Sequence, residues 1–252
     1  MRTAIRLSPA QPHTRWGSAM ASFVISVPVL LLAGMGVIEI AYWHITRQVL
    51  NVALMEAARA GATANGRLEA MERAFLKTLR PLPTSAGRWR RIHDDSGSPA
   101  WRIDVLAPPT SAYADFGSHG LRLVEPAGTL PATPAGAGIL RTGSAPAKIM
   151  AIRNDYQAEE HARRLGAGWP GGRGPKSGLT IFEANILRLR LSYQLPPLSP
   201  LTRAVLRAVA PTASASLAAV AARAGNVLIV EDLAMDMQSH PAAWPSRRIE
   251  PG

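Results

Sequence analysis

Cysteine is absent from the chain. Disulfides, thiolate metal sites and cysteine nucleophiles are excluded together, and an exported form would hold together without covalent staples. Aromatic residues make up only 6%, so any core is built from small and aliphatic side chains. Lysine is scarce, occurring only at Lys77, Lys148 and Lys176, and the net charge of +11 is therefore carried almost wholly by arginine. The arginines are scattered singly or in pairs, as at Arg90-Arg91, Arg163-Arg164 and Arg247-Arg248. A nucleic-acid surface is expected to cluster basic residues and interleave aromatic platforms, so no nucleic acid is expected as a partner. Attraction to anionic lipid headgroups does follow from such a charge.

Recognised catalytic patterns are also missing. G-x-S-x-G and S-x-x-K do not occur. "GRGPKSG" looks at first like a phosphate loop, but Pro175 stands where that loop needs glycine, and proline offers no N–H to a phosphate. Six histidines are dispersed without zinc-helix spacing. The densest polar groups, His93-Asp94-Asp95 and Glu159-Glu160-His161, read as solvated surface. The residues therefore call for no catalytic site, no metal site and no cofactor.

What is present is a long apolar run. From Trp16 to Ile38 no residue carries a charge. Coiled into a helix, this run reaches about 34 Å, against roughly 30 Å for the hydrocarbon core of a bilayer. Arg2, Arg6 and Arg15 precede it with no acidic residue among them, which favours a cytoplasmic N-terminus. Tyr42 and Trp43 follow at the far interface, where amphipathic rings are enriched. The run is too long for a cleaved secretory signal and lacks a convincing small-x-small site after it. Ser18, Ser22 and Ser26 recur every four residues, and Gly34 and Gly36 continue the small-residue theme. Ser22, Ser26 and Gly34 are thus candidates for a helix-packing stripe, since small residues let helices approach closely in lipid.

The order "RWG", a phenylalanine six positions after the glycine, "VPVLLL", "GVIEIAY" and then "HITRQVLNVALMEAARAGATA" (His44 to Ala64) resembles the TadE-like family. These are single-span, pilin-like proteins of tight-adherence (Flp-type) pilus systems. The resemblance covers roughly residues 15–64. It implies a short basic leader, cleavage by a prepilin peptidase between Gly17 and Ser18, and an aromatic at Phe23. It also implies partners among other pilin-like subunits or pilus-assembly membrane proteins, besides the membrane lipid. Where the family has a glutamate before the aromatic, this chain has Ser22. A serine hydroxyl cannot neutralise the new N-terminal ammonium of a neighbouring subunit, as that buried carboxylate is thought to do. The resemblance therefore implies cleavage more directly than it implies entry into a filament. Glu39 matches the family's second glutamate and reads as structural.

Beyond Trp43 the helical pattern persists. Leu68, Met71, Phe75 and Leu79 form one apolar face, Asn65-Gly66 marks an interruption, and Pro81 and Pro83 end the run. "WRIDVLA", "LRLV", "TIFEANILRLRLSYQL" and "NVLIVEDLAMDMQS" read as strands. In the third, Leu187, Leu189, Leu191 and Tyr193 face inward, and Arg188, Arg190 and Ser192 outward. In the fourth, Val227, Ile229, Met235 and Met237 are the inward residues. Residues 155–165, 202–210 and 213–224 read as short helices. Two stretches, from Glu125 and from Gly166, are Gly/Pro-rich and read as loops without apolar bulk. With no regular strand-helix alternation, the sheet is expected to be antiparallel.

The expected architecture is α+β, with a long transmembrane helix continuing into one packed on a small antiparallel sheet. Its divisions are a basic cytoplasmic leader (1–17), the helix and its extension (18–80), a soluble α+β domain (81–240) and a flexible tail (241–252). Two functions remain open from the residues. One is a non-enzymatic, membrane-anchored component of pilus or envelope assembly, single-pass in the bacterial inner membrane with its soluble domain periplasmic. The other is a membrane-tethered periplasmic enzyme or ligand-binding protein, which would need a deep pocket with converging polar groups.

Overall fold

A computed structural model describes residues 16–82, 85–124, 142–144 and 149–251. The chain divides into two units, residues 1–42 and 43–252. Helix α1 (Trp16–Thr63) begins in the first and passes through Pro28 without interruption. In the first unit its large apolar side chains are exposed all round, with Phe23, Leu30 and Leu31 each 68% accessible. Glu39 is the exception, a carboxylate that is buried.

The second unit opens with the remainder of α1. It continues through α2 (Leu68–Thr78), α3 (Ala86–Ser96), β1 (Trp101–Ala107), α4 (Thr110–Phe116), β2 (Gly117–Ser118) and β3 (Arg122–Val124). Then come β4 (Thr142–Ser144), β5 (Ala151–Ile152), α5 (Gln157–Gly166), α6 (Ile181–Ala184) and β6 (Ile186–Leu195). The last elements are α7 (Pro200–Val209), α8 (Leu217–Arg223), β7 (Val227–Asp236) and β8 (Arg248–Ile249). Four strands form an antiparallel sheet in the order β7-β6-β1-β8. The fold is α+β, as the absence of strand-helix alternation implied.

Alternation decides the two faces of this sheet. Leu187, Leu189, Leu191 and Tyr193 of β6 are buried on the helix-covered side, beside Trp101 and Ile103 of β1. α1 approaches them at Gly61, beside Leu187, and its inaccessible positions are Leu50 and Leu54 with Ala53, Ala57, Ala58 and Ala62 spread to either side. Phe75 of α2 stacks on Trp101 with ring centroids 4.9 Å apart. The other face is charged. Arg190 pairs with Asp232 across β6 and β7, and Asp104 accepts from Arg102 and Arg248. An antiparallel sheet tolerates this one-sided solvation.

Ser192 departs from the expected outward position, being only 5% accessible. The end of β6 is enclosed by the α3–β1 turn and the start of β7. There Gln194 donates to Ser96 Oγ (3.1 Å) and the Pro99 carbonyl (3.0 Å), and accepts from Asn226 (3.2 Å). Ile229 and Met237 are buried as expected, while Val227 and Met235 are half-buried because β7 is an edge strand.

Asn65 ends α1 in the left-handed region, with φ 60°. This conformation suits asparagine among non-glycine residues. Its side chain accepts from the Val124 N–H (2.6 Å) and donates to the His240 carbonyl (2.8 Å). Its own N–H donates to Ser239 Oγ (2.8 Å), and its carbonyl accepts from the Trp244 indole (2.9 Å). One buried residue thus ties the end of the long helix to three distant segments.

Three further sequence expectations need correction. Residues 181–184, read as the start of a strand, form α6, which the Thr180 hydroxyl caps by accepting from the Glu183 N–H. Residues 166–178 do not form a loop devoid of packing. Trp169 packs edge-on to Phe116 at 5.6 Å, and Asp115 accepts from the backbone N–H groups of Lys176 and Ser177. Residues 241–251, expected as part of a flexible tail, include β8 paired with β1 and the buried Ala242 and Ile249. The Tyr113 hydroxyl donates to the Ala242 carbonyl (3.0 Å), and burial raises its pKa, keeping it a donor. The stretch from Glu125 to Gly138 lies outside the described residues, as does the leader before Trp16.

Candidate functional site

Gly17, Ser18 and Ser22 all fall inside α1; their side chains lie outside the described set. Ser26 is exposed, and a Cβ placed on Gly34 would meet nothing within 4 Å. At 100° per residue Ser22 and Ser26 lie nearly one above the other, whereas Gly34 is displaced by roughly 80° from Ser26. The candidate stripe therefore winds round the helix instead of running straight.

The second half of α1 is a different surface. Arg47, from the "RQ" pair of the resemblance, forms an ion pair with Glu231 on β7. Gln48 contacts His44 at 3.2 Å. In "EAARAGA", Glu56 pairs with Arg59 on the outside (2.9 Å), while Ala57, Ala58 and Ala62 are buried. A Cβ on Gly61 would come within 2.6 Å of Met71 Sδ and 2.9 Å of Leu187 Cδ2. The small residues of that run are therefore what let the helix approach the sheet. On the outward side Ile45, Val52 and Met55 remain exposed at helical spacing.

Clefts were the discriminating feature for an enzyme or receptor. One, of about 640 Å³, is lined by residues including Phe116, Ser118, Arg153, Tyr156, Glu160 and Arg164. Three of its charges engage one another. Glu160 accepts from Arg163 (2.9 Å) and Arg164 (2.7 Å), and Arg164 lies 4.2 Å over the Trp169 ring. Burial alone would raise the Glu160 pKa, but these arginines outweigh it and hold the carboxyl below its ordinary value. A second cleft, of about 340 Å³, lies beside Trp89, Arg90 and His93 of α3. Among the described residues no group of three or more His, Cys, Asp or Glu is placed to hold a metal. Sequence reasoning read Glu159-Glu160-His161 as solvated surface and missed the partners of Glu160. Arg163 and Arg164, three and four residues on, were the available signal.

The described chain thus combines one helix long and apolar enough to cross a membrane with an α+β unit that carries its second half. Residues 17–59 match the TadE-like protein family, and the resemblance read from the sequence is shown for that segment. No curated protein and no solved structure matches the chain. The match ends within α1, before the turn at Asn65, and it implies a pilus-assembly component.

Proposed function

We propose that the protein is a non-enzymatic, membrane-anchored, pilin-like component of pilus or envelope assembly. The observation that carries this reading is the character of α1 over the matched residues. Its first part exposes large apolar side chains in every direction, and its second part is buried along a mixed face of Leu50, Leu54, alanines and Gly61, the last of which lies against Leu187. A helix apolar all round suits lipid, while a one-sided buried face fixes the anchor to a folded domain. In this reading residues 1–17 are a cytoplasmic leader, the apolar part spans the inner membrane once, and residues from Trp43 onward lie in the periplasm. The exposed Ile45, Val52 and Met55, together with Ser22, Ser26 and Gly34, supply helix surface for other pilin-like subunits or assembly proteins. In the larger cleft Glu160, Arg163 and Arg164 are already engaged with one another, which favours assembly over catalysis.

Co-expression with a prepilin peptidase, followed by mass spectrometry of the mature N-terminus, tests the reading. A start at Ser18 is the expected result and supports processing without the usual glutamate. A start at Met1 would make the chain a permanent anchor acting in assembly. A start beyond Ile38 would remove the membrane helix and overturn the reading.

A further inference from the structure

Helix α7 has no buried residue. Ser199 caps it, accepting from the N–H groups of Leu201 (3.2 Å) and Thr202 (3.4 Å), and Pro200 occupies its first turn. This is a well-formed start for a short helix. It packs through one side only. Gly225 admits α7 so closely that a Cβ there would come within 2.4 Å of Arg203 Cγ. Arg207 donates to the Ala224 carbonyl (3.2 Å). Leu201 and Val205 lie two positions either side of Arg203, so each points roughly 160° away from that contact. They are 53% and 51% accessible, and Val209, one turn further, is 70% accessible.

The position of this apolar face follows from two contacts of α1, one with β7 and one just beyond its end. Arg47 pairs with Glu231, and the Ala62 carbonyl accepts from the Gln238 N–H at 3.0 Å. Along α1 these points are separated by about 22 Å and along residues 231–238 by about 23 Å, so helix and strand run side by side in the same direction. The β6–β7 end marked by the Leu195–Val227 pair therefore lies on the side where the chain enters the unit at Trp43. The connection bearing α7 and α8 is built on that end. Between residues 196 and 230 there are three arginines, Arg203, Arg207 and Arg223, and no aspartate or glutamate.

We propose that α7 is a second membrane contact, docking its Leu201–Val205–Val209 face into the surface of an anionic phospholipid bilayer. The inference rests on the reading of residues before Trp43 as a membrane span. Connectivity alone then keeps the Trp43 end of the unit within a few residues of the bilayer surface. The apolar face of α7 gains there from burial, and the segment's three arginines, unopposed by any acidic residue, add a longer-range attraction to anionic headgroups although Arg207 and Arg223 bond backbone carbonyls.

The absence of cysteine permits single-site labelling of the full chain. An environment-sensitive fluorophore would be placed at V205C, at L201C, at L31C in the apolar run, and at A162C on α5. The α5 helix lies at the opposite end of the unit, following Asn154, which donates to the Met237 carbonyl. Each labelled protein is reconstituted in phosphatidylcholine vesicles with about one-third phosphatidylglycerol and an acyl-chain spin label as quencher. The expected result is strong quenching at position 31, roughly half as much at 205 and 201, and none at 162. Quenching at 31 with none at 205 or 201 would overturn the α7 contact alone. Shielding of 205 from an aqueous quencher with no response to the lipid one would assign the face to a protein neighbour instead. No quenching at 31 would overturn the membrane span, and the α7 contact with it. Equal quenching at 205 in pure phosphatidylcholine would remove the anionic lipid from the proposal.

Discussion

The two parts of α1 solve opposite problems with one secondary structure. Before Trp43 the helix carries large side chains that nothing covers, with Val24, Val29 and Leu30 all more than half exposed. After it, the buried positions are mostly small, four alanines with Thr46 and Gly61, and Leu50 and Leu54 are the large exceptions. In lipid, bulk is useful because every side of the helix meets hydrocarbon. Against a sheet, bulk would push the helix away from Leu187 and Leu189. The glycines show the same division: Gly34 has open space around it, whereas Gly61 is filled by Met71 and Leu187.

The largest effect expected is on the first part. Replacing Leu31 and Leu32 together by arginine should cost about 6 kcal/mol of membrane insertion, and the protein should move from the membrane fraction to inclusion bodies or degradation. Retention in carbonate-washed membranes would break the comparison, since the run would then not need lipid.

In the second part, Asn65→Ala removes two side-chain hydrogen bonds, strands the Val124 N–H, and leaves at positive φ a residue that tolerates the left-handed region less well than asparagine. About 3 kcal/mol of stability should be lost, read as a lowered unfolding midpoint of the residue 43–252 unit in the full chain. Asn65→Gly should recover the backbone part of that loss alone.

A direct comparison uses one substitution at two sites. Gly61→Val should cost about 2 kcal/mol, because Met71 and Leu187 must move aside. Gly34→Val should leave unfolding of the second unit unchanged. Equal effects at both would show that residues 16–42 are packed after all.

The smallest effect is electrostatic. Glu160 has a lowered folded pKa, so its stabilisation is fully present above the unfolded carboxylate value and is lost as pH falls through the folded one. Glu160→Gln should remove about 1 kcal/mol at neutral pH and flatten the acid limb of the stability curve. A variant whose stability still falls with wild-type steepness over that window would assign the limb to another carboxylate, such as Asp115, whose carboxyl is also held low.

Local pattern carried much of the architecture. Apolar length announced the first part of α1, period-two alternation announced β6 and β7, and Asn65-Gly66 announced the helix end. Signals that depend on neighbours were harder to read. Residues 166–178 look unpacked because their composition is poor in apolar bulk, yet Trp169 alone fills the space beside Phe116 and Arg164. Ser192 looks outward by alternation, but its end of the strand is enclosed. Helix α7 was expected as a helix, while its unpartnered face was not, because amphipathicity does not reveal which side meets the protein.

By itself, the sequence determined the apolar helix, the antiparallel α+β class and the family of residues 17–59, because each rests on near-neighbour periodicity or a contiguous motif. Tertiary structure decided which alanines of α1 are buried, how Asn65 gathers residues 124, 239, 240 and 244, and where α7 stands relative to Trp43. Those depend on contacts between residues far apart in the chain. Such contacts are selected by packing space and hydrogen-bond satisfaction, which local sequence pattern leaves open.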